Sequence, residues 1–141
     1  MATLDKAIRI AAEVHGGQKD RYEAPYMLHP IRVMMRVSGE QQRIVAILHD
    51  VVEDSDWTLD DLRQQEFAEE IVEAVDCLTK REGEPYMDYI SRLEADQIAR
   101  AVKLADLEDN MDMRRLDKFS DKDADRFGRY HKAWWRLKRY D

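Results

Sequence analysis

Cysteine, proline and glycine are all scarce in this chain. Its 141 residues include one Cys, three Pro and five Gly. The lone thiol, Cys77, sits in an apolar-periodic run and reads as a buried structural residue. That usage fits a reducing, cytoplasmic compartment. The length is one domain's worth, residues 1–141, and is enough to bury a core without disulfides or a structural metal. Few Gly and Pro leave little room for long loops or many tight turns. No apolar run approaches the roughly 18 residues of a membrane helix, and the N-terminus lacks the apolar region of a signal peptide. Cations are outnumbered, 23 Lys and Arg against 30 Asp and Glu, for a net charge of −7. That balance argues against nonspecific nucleic-acid binding. An anionic small molecule remains compatible, because local Lys and Arg can line a pocket. Nothing in the sequence specifies the oligomeric state.

Apolar residues make up 44% of the chain and charged ones 38%, a mix suited to helices. Leu4, Ala7, Ile8, Ala11 and Ala12 follow the helical period and predict a helix over 3–15, ended by Gly16-Gly17. A polar loop over 18–25 carries Lys19, Asp20 and Arg21. Helices are predicted over 27–37, with Pro30 near the first turn where it is tolerated, and over 41–52. Thr58 and Asp61 form a capping-box signal for a short helix over 59–64. Further helices are expected over 68–80, 86–93 and 96–111. Ser120 and Asp123 announce a last one ending near Tyr140. No strand is expected. The fold class is all-α, a bundle of about seven or eight helices. The basic residues between Arg126 and Arg139 alternate with aromatics and read as a solvated helix face.

The tract His49-Asp50-Val51-Val52-Glu53-Asp54 carries the densest chemistry. His29, His49, Asp50 and Asp106 are a candidate metal set: neutral imidazoles and ionised carboxylates suit a divalent cation. Two His and two Asp also leave positions open for water. Coming from three helices, these ligands can converge only in a bundle core. A metal so held acidifies its water and polarises a phosphoryl oxygen. Glu53 and Asp54 stand beside the ligand pair as candidate general acid or base. Lys103, Asp106 and Asn110 recur on one helix face and suit a phosphate and a hydroxyl. Each element has a bland alternative. A lone His is more often a structural residue, an acidic run is usually a solvated helix end, and Lys103 alone reads as a surface lysine. Their coincidence is what carries the metal reading.

These residues resemble the HD-domain phosphohydrolase superfamily, and more narrowly the hydrolase domain of RelA/SpoT-type enzymes and stand-alone small alarmone hydrolases. The resemblance runs from about residue 4 to 115. It rests on Ala11-Ala12-x-x-His15-x-Gly17-Gln18, Pro25-Tyr26-x-x-His29-Pro30, His49-Asp50-Val51-Val52-Glu53-Asp54-Ser55, Leu78-Thr79 and Lys103-Leu104-Ala105-Asp106-x-x-x-Asn110-Met111. It implies an HD helical bundle and a Mn²⁺ site of His29, His49, Asp50 and Asp106, although such donors also admit other divalent metals. It implies removal of the 3′-diphosphate of guanosine tetra- or pentaphosphate, with Glu53 and Asp54 as the catalytic pair. Lys103 and Asn110 are then substrate contacts, and no synthetase domain is expected.

Two departures fall on the substrate side. After Gly-Gln the family reads x-Arg-Lys-Ser-Gly, whereas this chain reads Lys19-Asp20-Arg21-Tyr22-Glu23. Asp20 takes the place of an arginine expected to stack on guanine, leaving Arg21 or Tyr22 to assume that role. Lys19 and Arg21 are candidate diphosphate contacts. The second departure replaces Asn-Met-Arg-Thr by Asn110-Met111-Asp112-Met113, displacing Arg114 and Arg115. The alternatives therefore stay open: another nucleotide such as a ppApp-type alarmone, the 2′-phosphate of NADPH or a nucleoside monophosphate, or a sensor that binds without turnover.

Overall fold

Eight α-helices and one short 3-10 turn carry the chain in a computed structural model that describes residues 1–140. They are α1 Leu4–His15, α2 Leu28–Arg36, α3 Glu40–Leu48, α4 Leu59–Gln64, α5 Glu69–Leu78, α6 Tyr86–Leu93, α7 Gln97–Asn110 and α8 Asp121–Lys138, with the 3-10 turn at Met113–Arg115. Among the described residues there is no strand, only one isolated bridge between Lys19 and Pro25. No described helix is long and apolar enough to cross a membrane.

The bundle is built around α3, which packs against α1, α2, α5 and α7. Its residues Ile44 to Leu48 are at most 2% exposed, so the second half of this helix is buried all round, while Glu40, Gln41 and Arg43 stay exposed. That explains its β-branched, nearly continuous apolar sequence, which amphipathic patterning alone leaves open to a strand reading. Each large aliphatic side chain buried in this way contributes about 1.5–3 kcal/mol. Both capping boxes form as the sequence suggests: Thr58 with Asp61 at α4, and Ser120 with Asp123 at α8.

Three local readings change. Helix α3 ends at Leu48 rather than continuing to Val52, and 49–52 continue as turns. The His49 Nδ1–H donates to the Ala46 carbonyl at 2.5 Å, while Val51 N–H bonds Leu48. Side-chain capture of a carbonyl and a tighter backbone bond stop the α-helix there. Cys77 is half-buried rather than buried. The basic face of α8 is not simply solvated: Arg126 is only 9% exposed, and Trp134 Nε1–H donates to Glu108 at 3.0 Å.

Between α1 and α2 the chain forms a small pinched loop. Gly17, at φ 82°, turns it away from α1 in a conformation that a side chain resists. Backbone bonds Tyr26 N–H to Gln18 O at 2.9 Å and Asp20 N–H to Ala24 O at 2.8 Å close its neck. The Asp20 carboxylate fills it, accepting from the N–H of Tyr22 at 2.8 Å and of Ala24 at 3.0 Å. This loop stands against the start of α2, where His29 lies.

Candidate metal centre and substrate cleft

Three structural events bring the candidate ligands together. Pro30 in the first turn of α2 fixes the entry that carries His29. The end of α3 presents His49 and Asp50, and the middle of α7 presents Asp106. His29 Nε2 lies 2.8 Å from Asp106 Oδ1. His49 Nε2 lies 3.2 Å from Asp50 Oδ2 and 3.3 Å from Asp106 Oδ1. Ligand atoms of His29, His49 and Asp50 all fall within 4.8 Å of one another.

The His49 Nε2 atom is buried and makes no hydrogen bond. Its Nδ1–H is spent on Ala46, so in the neutral ring the other nitrogen turns a lone pair on two carboxylate oxygens, a place that a proton or a cation fills. A buried polar atom left so is costly. A divalent cation drawn to two neutral imidazoles and the Asp50 carboxylate would satisfy these groups, and the donor set therefore fits one; Asp106 stands outside that trio, against both imidazoles and paired with Lys103.

The charges respond accordingly. Burial opposes a proton on His49, but the charge of Asp50 and the contacts with Asp106 outweigh it and hold the imidazole well above its ordinary value. His29 is raised in the same way by its carboxylate contacts, against burial. Burial opposes ionisation of Asp50, yet His49 draws its carboxyl down to about 2. Asp106 is held well below the carboxylate range, chiefly by Lys103 against burial. The Lys103 Nζ donates to Asp106 Oδ2 at 2.9 Å and lies 5.1 Å from the Tyr89 ring centroid. Glu53 and Asp54 stand at the mouth of the site. Desolvation in the cleft, and then the Asp50 charge, raise both carboxyls.

These groups open into a cleft of about 510 Å³. Its far wall belongs to α8, through Arg126 and Tyr130. The Arg126 guanidinium donates to the Tyr22 hydroxyl at 3.1 Å, bracing the pinched loop against α8.

No family model matches the chain. It is 29% identical over 120 residues to guanosine-3′,5′-bis(diphosphate) 3′-pyrophosphohydrolase of Aquifex aeolicus, 77% of this chain and 17% of that protein. It is 31% identical over 124 residues to a probable GTP pyrophosphokinase of Mycobacterium leprae, 79% of this chain and 16% of that one. A guanosine-3′,5′-bis(diphosphate) 3′-pyrophosphohydrolase of Borreliella burgdorferi is 37% identical over 82 residues, 55% of this chain and 12% of that protein. The chain thus spans less than a fifth of the length of these relatives. Among solved structures, a metazoan SpoT orthologue that hydrolyses ppGpp aligns with a TM-score of 0.78. The match covers 97% of this chain and 85% of that one at 24% identity, a likeness of fold. In sequence the chain is thus similar to ppGpp 3′-pyrophosphohydrolases and GTP pyrophosphokinases, and in fold to the SpoT orthologue.

Within this HD fold, ten of the eleven site residues expected from the sequence line the cleft: His29, Asp50, Asp106, Glu53, Asp54, Lys19, Arg21, Tyr22, Lys103 and Asn110. The eleventh, His49, lies directly behind them, 3% exposed. Asn110 donates to Asp106 at 3.3 Å. Lys19 is an exposed residue in a loose 3.8 Å pair with Glu23, whereas Arg21 is exposed and has no ion pair among the described residues. Five further lining residues join them: Asp20, Tyr26, Arg115, Arg126 and Tyr130. The Tyr26 hydroxyl donates to Asp50. Its place in Pro25-Tyr26-x-x-His29 is the signal that marks it. Arg126 and Tyr130 are one turn apart on α8, and a face of two such residues carries no sequence signal by itself.

Proposed function

We propose that this chain is a metal-dependent phosphohydrolase that removes the 3′-diphosphate of guanosine tetra- or pentaphosphate, yielding GDP or GTP and pyrophosphate. The observation that carries the reading is the convergence of His29, His49, Asp50 and Asp106 beside the raised carboxyls of Glu53 and Asp54, in a cleft that also exposes Arg21 and Lys103. The names of the Aquifex and Borreliella relatives support the substrate class.

His29, His49, Asp50 and Asp106 hold the cation, Mn²⁺ in our reading. When bound it supplies Lewis-acid charge at a phosphoryl oxygen and acidifies water. The chain's own groups do the rest. Glu53 or Asp54 takes a proton from the attacking water and returns one to the departing 3′ oxygen, a task that a raised carboxyl suits near neutral pH. Lys103 and Arg21, with Lys19 at the rim, offset the negative charge of the diphosphate. Asn110 positions the sugar hydroxyl, and Tyr22 or Arg21 offers a flat surface to the base.

The altered loop at Asp20 keeps a second reading in view, in which the base or the phosphate ester differs. One screen separates these. The chain is stripped of metal, reloaded with Mn²⁺, and offered ppGpp, pppGpp, ppApp, NADPH and mononucleotides. Pyrophosphate from ppGpp is the expected product. Orthophosphate alone, or turnover of another member only, moves the assignment to that substrate. Binding of metal and nucleotide without turnover replaces the enzyme by a sensor.

A further inference from the structure

The most enclosed carboxylate near the site is not one of the candidate ligands. Asp109 lies on α7, close to one turn beyond Asp106, and is 0% exposed. Its Oδ2 accepts from the His29 Nδ1–H at 2.6 Å. The Arg32 Nε–H donates to its Oδ1 at 2.7 Å, and the Arg115 Nη1–H to its Oδ2 at 3.0 Å. His29 is thus gripped on both nitrogens, with Asp106 on the side of the cleft and Asp109 behind.

We infer that Asp109 is a positioning residue for the metal centre: its carboxylate keeps the proton of His29 on Nδ1, so that Nε2 presents its lone pair toward the cleft. This rests on the metal reading of the site given above. Three observations carry it. The 2.6 Å contact fixes both the tautomer and the ring plane of His29. Asp109 has no route to the cation itself, because it reaches the far nitrogen of the same ring. The Arg32 and Arg115 guanidinium groups hydrogen-bond both of its oxygens and fix the carboxylate behind the ring. Outer carboxylates of this kind raise metal affinity roughly 10–100-fold.

The competing account makes Asp109 an ion-pair strut between α2 and α7, since Arg32 and Arg36 both approach it from α2. Arg32 separates the two, because it shares the strut and its guanidinium bonds Asp109 rather than His29. The test is Mn²⁺ titration of the metal-stripped, folded chain without substrate, read by the electron paramagnetic resonance of free Mn²⁺. Asp109→Asn, close to isosteric, and Asp109→Ala are compared with Arg32→Gln, and each fold is checked by circular dichroism.

Both Asp109 variants are expected to weaken Mn²⁺ binding by at least about tenfold, while Arg32→Gln lowers the melting temperature and leaves affinity within about threefold. In turnover, excess Mn²⁺ restores Asp109→Asn at saturating substrate with KM unchanged. Asp109→Asn binding Mn²⁺ like the parent overturns the inference, and so does Arg32→Gln losing as much affinity as Asp109→Asn. Should Asp109→Ala fail to fold, Asp109→Asn alone decides. A parent chain that takes up no Mn²⁺ overturns the metal reading itself, and this inference with it.

Discussion

Asp20 and Arg115 are 95 residues apart in the chain and meet at 3.3 Å, the Arg115 guanidinium donating to the Asp20 carboxylate. Each stands where the chain departs from the pattern of the family it resembles, and the two departures are therefore one structural unit. Asp20 also ties its own loop through the N–H groups of Tyr22 and Ala24, and these contacts with Arg115 lower its carboxyl despite burial. Arg115 in turn lies 5.5 Å from the Tyr22 ring centroid and bonds Asp109. The pair pins this loop to the turn that follows α7.

Removing either partner is expected to loosen that loop; Asp20→Ala leaves the metal ligands untouched, whereas Arg115→Ala also removes one of the bonds to Asp109. Asp20→Ala and Arg115→Ala each raise KM by about tenfold, equivalent to ~1.4 kcal/mol, with smaller changes in kcat. Because one contact is lost in both, the double variant costs little more than the worse single one. Steady-state kinetics on the four proteins checks this. Additive losses would show that the two residues act separately.

The metal-free chain is expected to be more stable at pH 5.5 than at pH 8. His29 and His49 have folded-state pKa values above the unfolded one, so their stabilisation is full below about 6.5 and is lost as pH rises through the folded values. Asp50 and Asp106 are depressed, so theirs is present above about 3.9 and lost only as pH falls further. Glu53 and Asp54, both raised, act in the same direction as the imidazoles. A divalent cation needs the imidazoles unprotonated, and Mn²⁺ should therefore reverse the trend and stabilise most at pH 8. Thermal melts in chelator and in Mn²⁺ at both pH values measure it. A chelated protein that melts higher at pH 8 would contradict the arrangement of charges described here.

Glu53→Gln is expected to keep its metal and to lose roughly 10²–10⁴-fold in kcat, the range of general acid–base catalysis. In the parent, the raised carboxyls place the acid limb of the kcat profile above the ordinary carboxylate range. His49→Ala and Asp50→Ala instead lose metal binding. Metal analysis of the purified variants beside their rates separates the two classes. Loss of metal from Glu53→Gln would make Glu53 a ligand.

Much of this fold and site is legible in the sequence. Helix periods, the two capping boxes and Pro30 are local signals, and they set the element order. The Lys103, Asp106, Asn110 face is spaced by helical turns, so its shared face follows from the sequence, whereas the HD tract leaves the helix at His49. What escaped depends on contacts between distant segments. Asp109 looks like one more acid in Leu107-Glu108-Asp109, and only the approach of α2 makes it the partner of His29. Arg126 looks like one more solvated cation until the loop around Tyr22 is brought against it. The end of α3 at His49 depends on a side-chain bond to Ala46, which propensity does not encode.

Helix α8 supplies the last test, because its first turn links stability to the cleft. Asp123 uses both oxygens: Oδ2 accepts from the Ser120 N–H at 2.8 Å, completing the capping box, and Oδ1 accepts from Arg126 at 2.5 Å. Arg126 then reaches Tyr22. Ser120→Ala removes only cap bonds and is expected to cost ~1 kcal/mol of stability, seen as a lower melting temperature with KM unchanged. Arg126→Ala keeps the capping box but releases Tyr22, so KM should rise several-fold, more than kcat falls, with Mn²⁺ affinity intact. Asp123→Ala should show both defects together. If Arg126→Ala changes only the melting temperature, α8 completes the bundle without shaping the cleft.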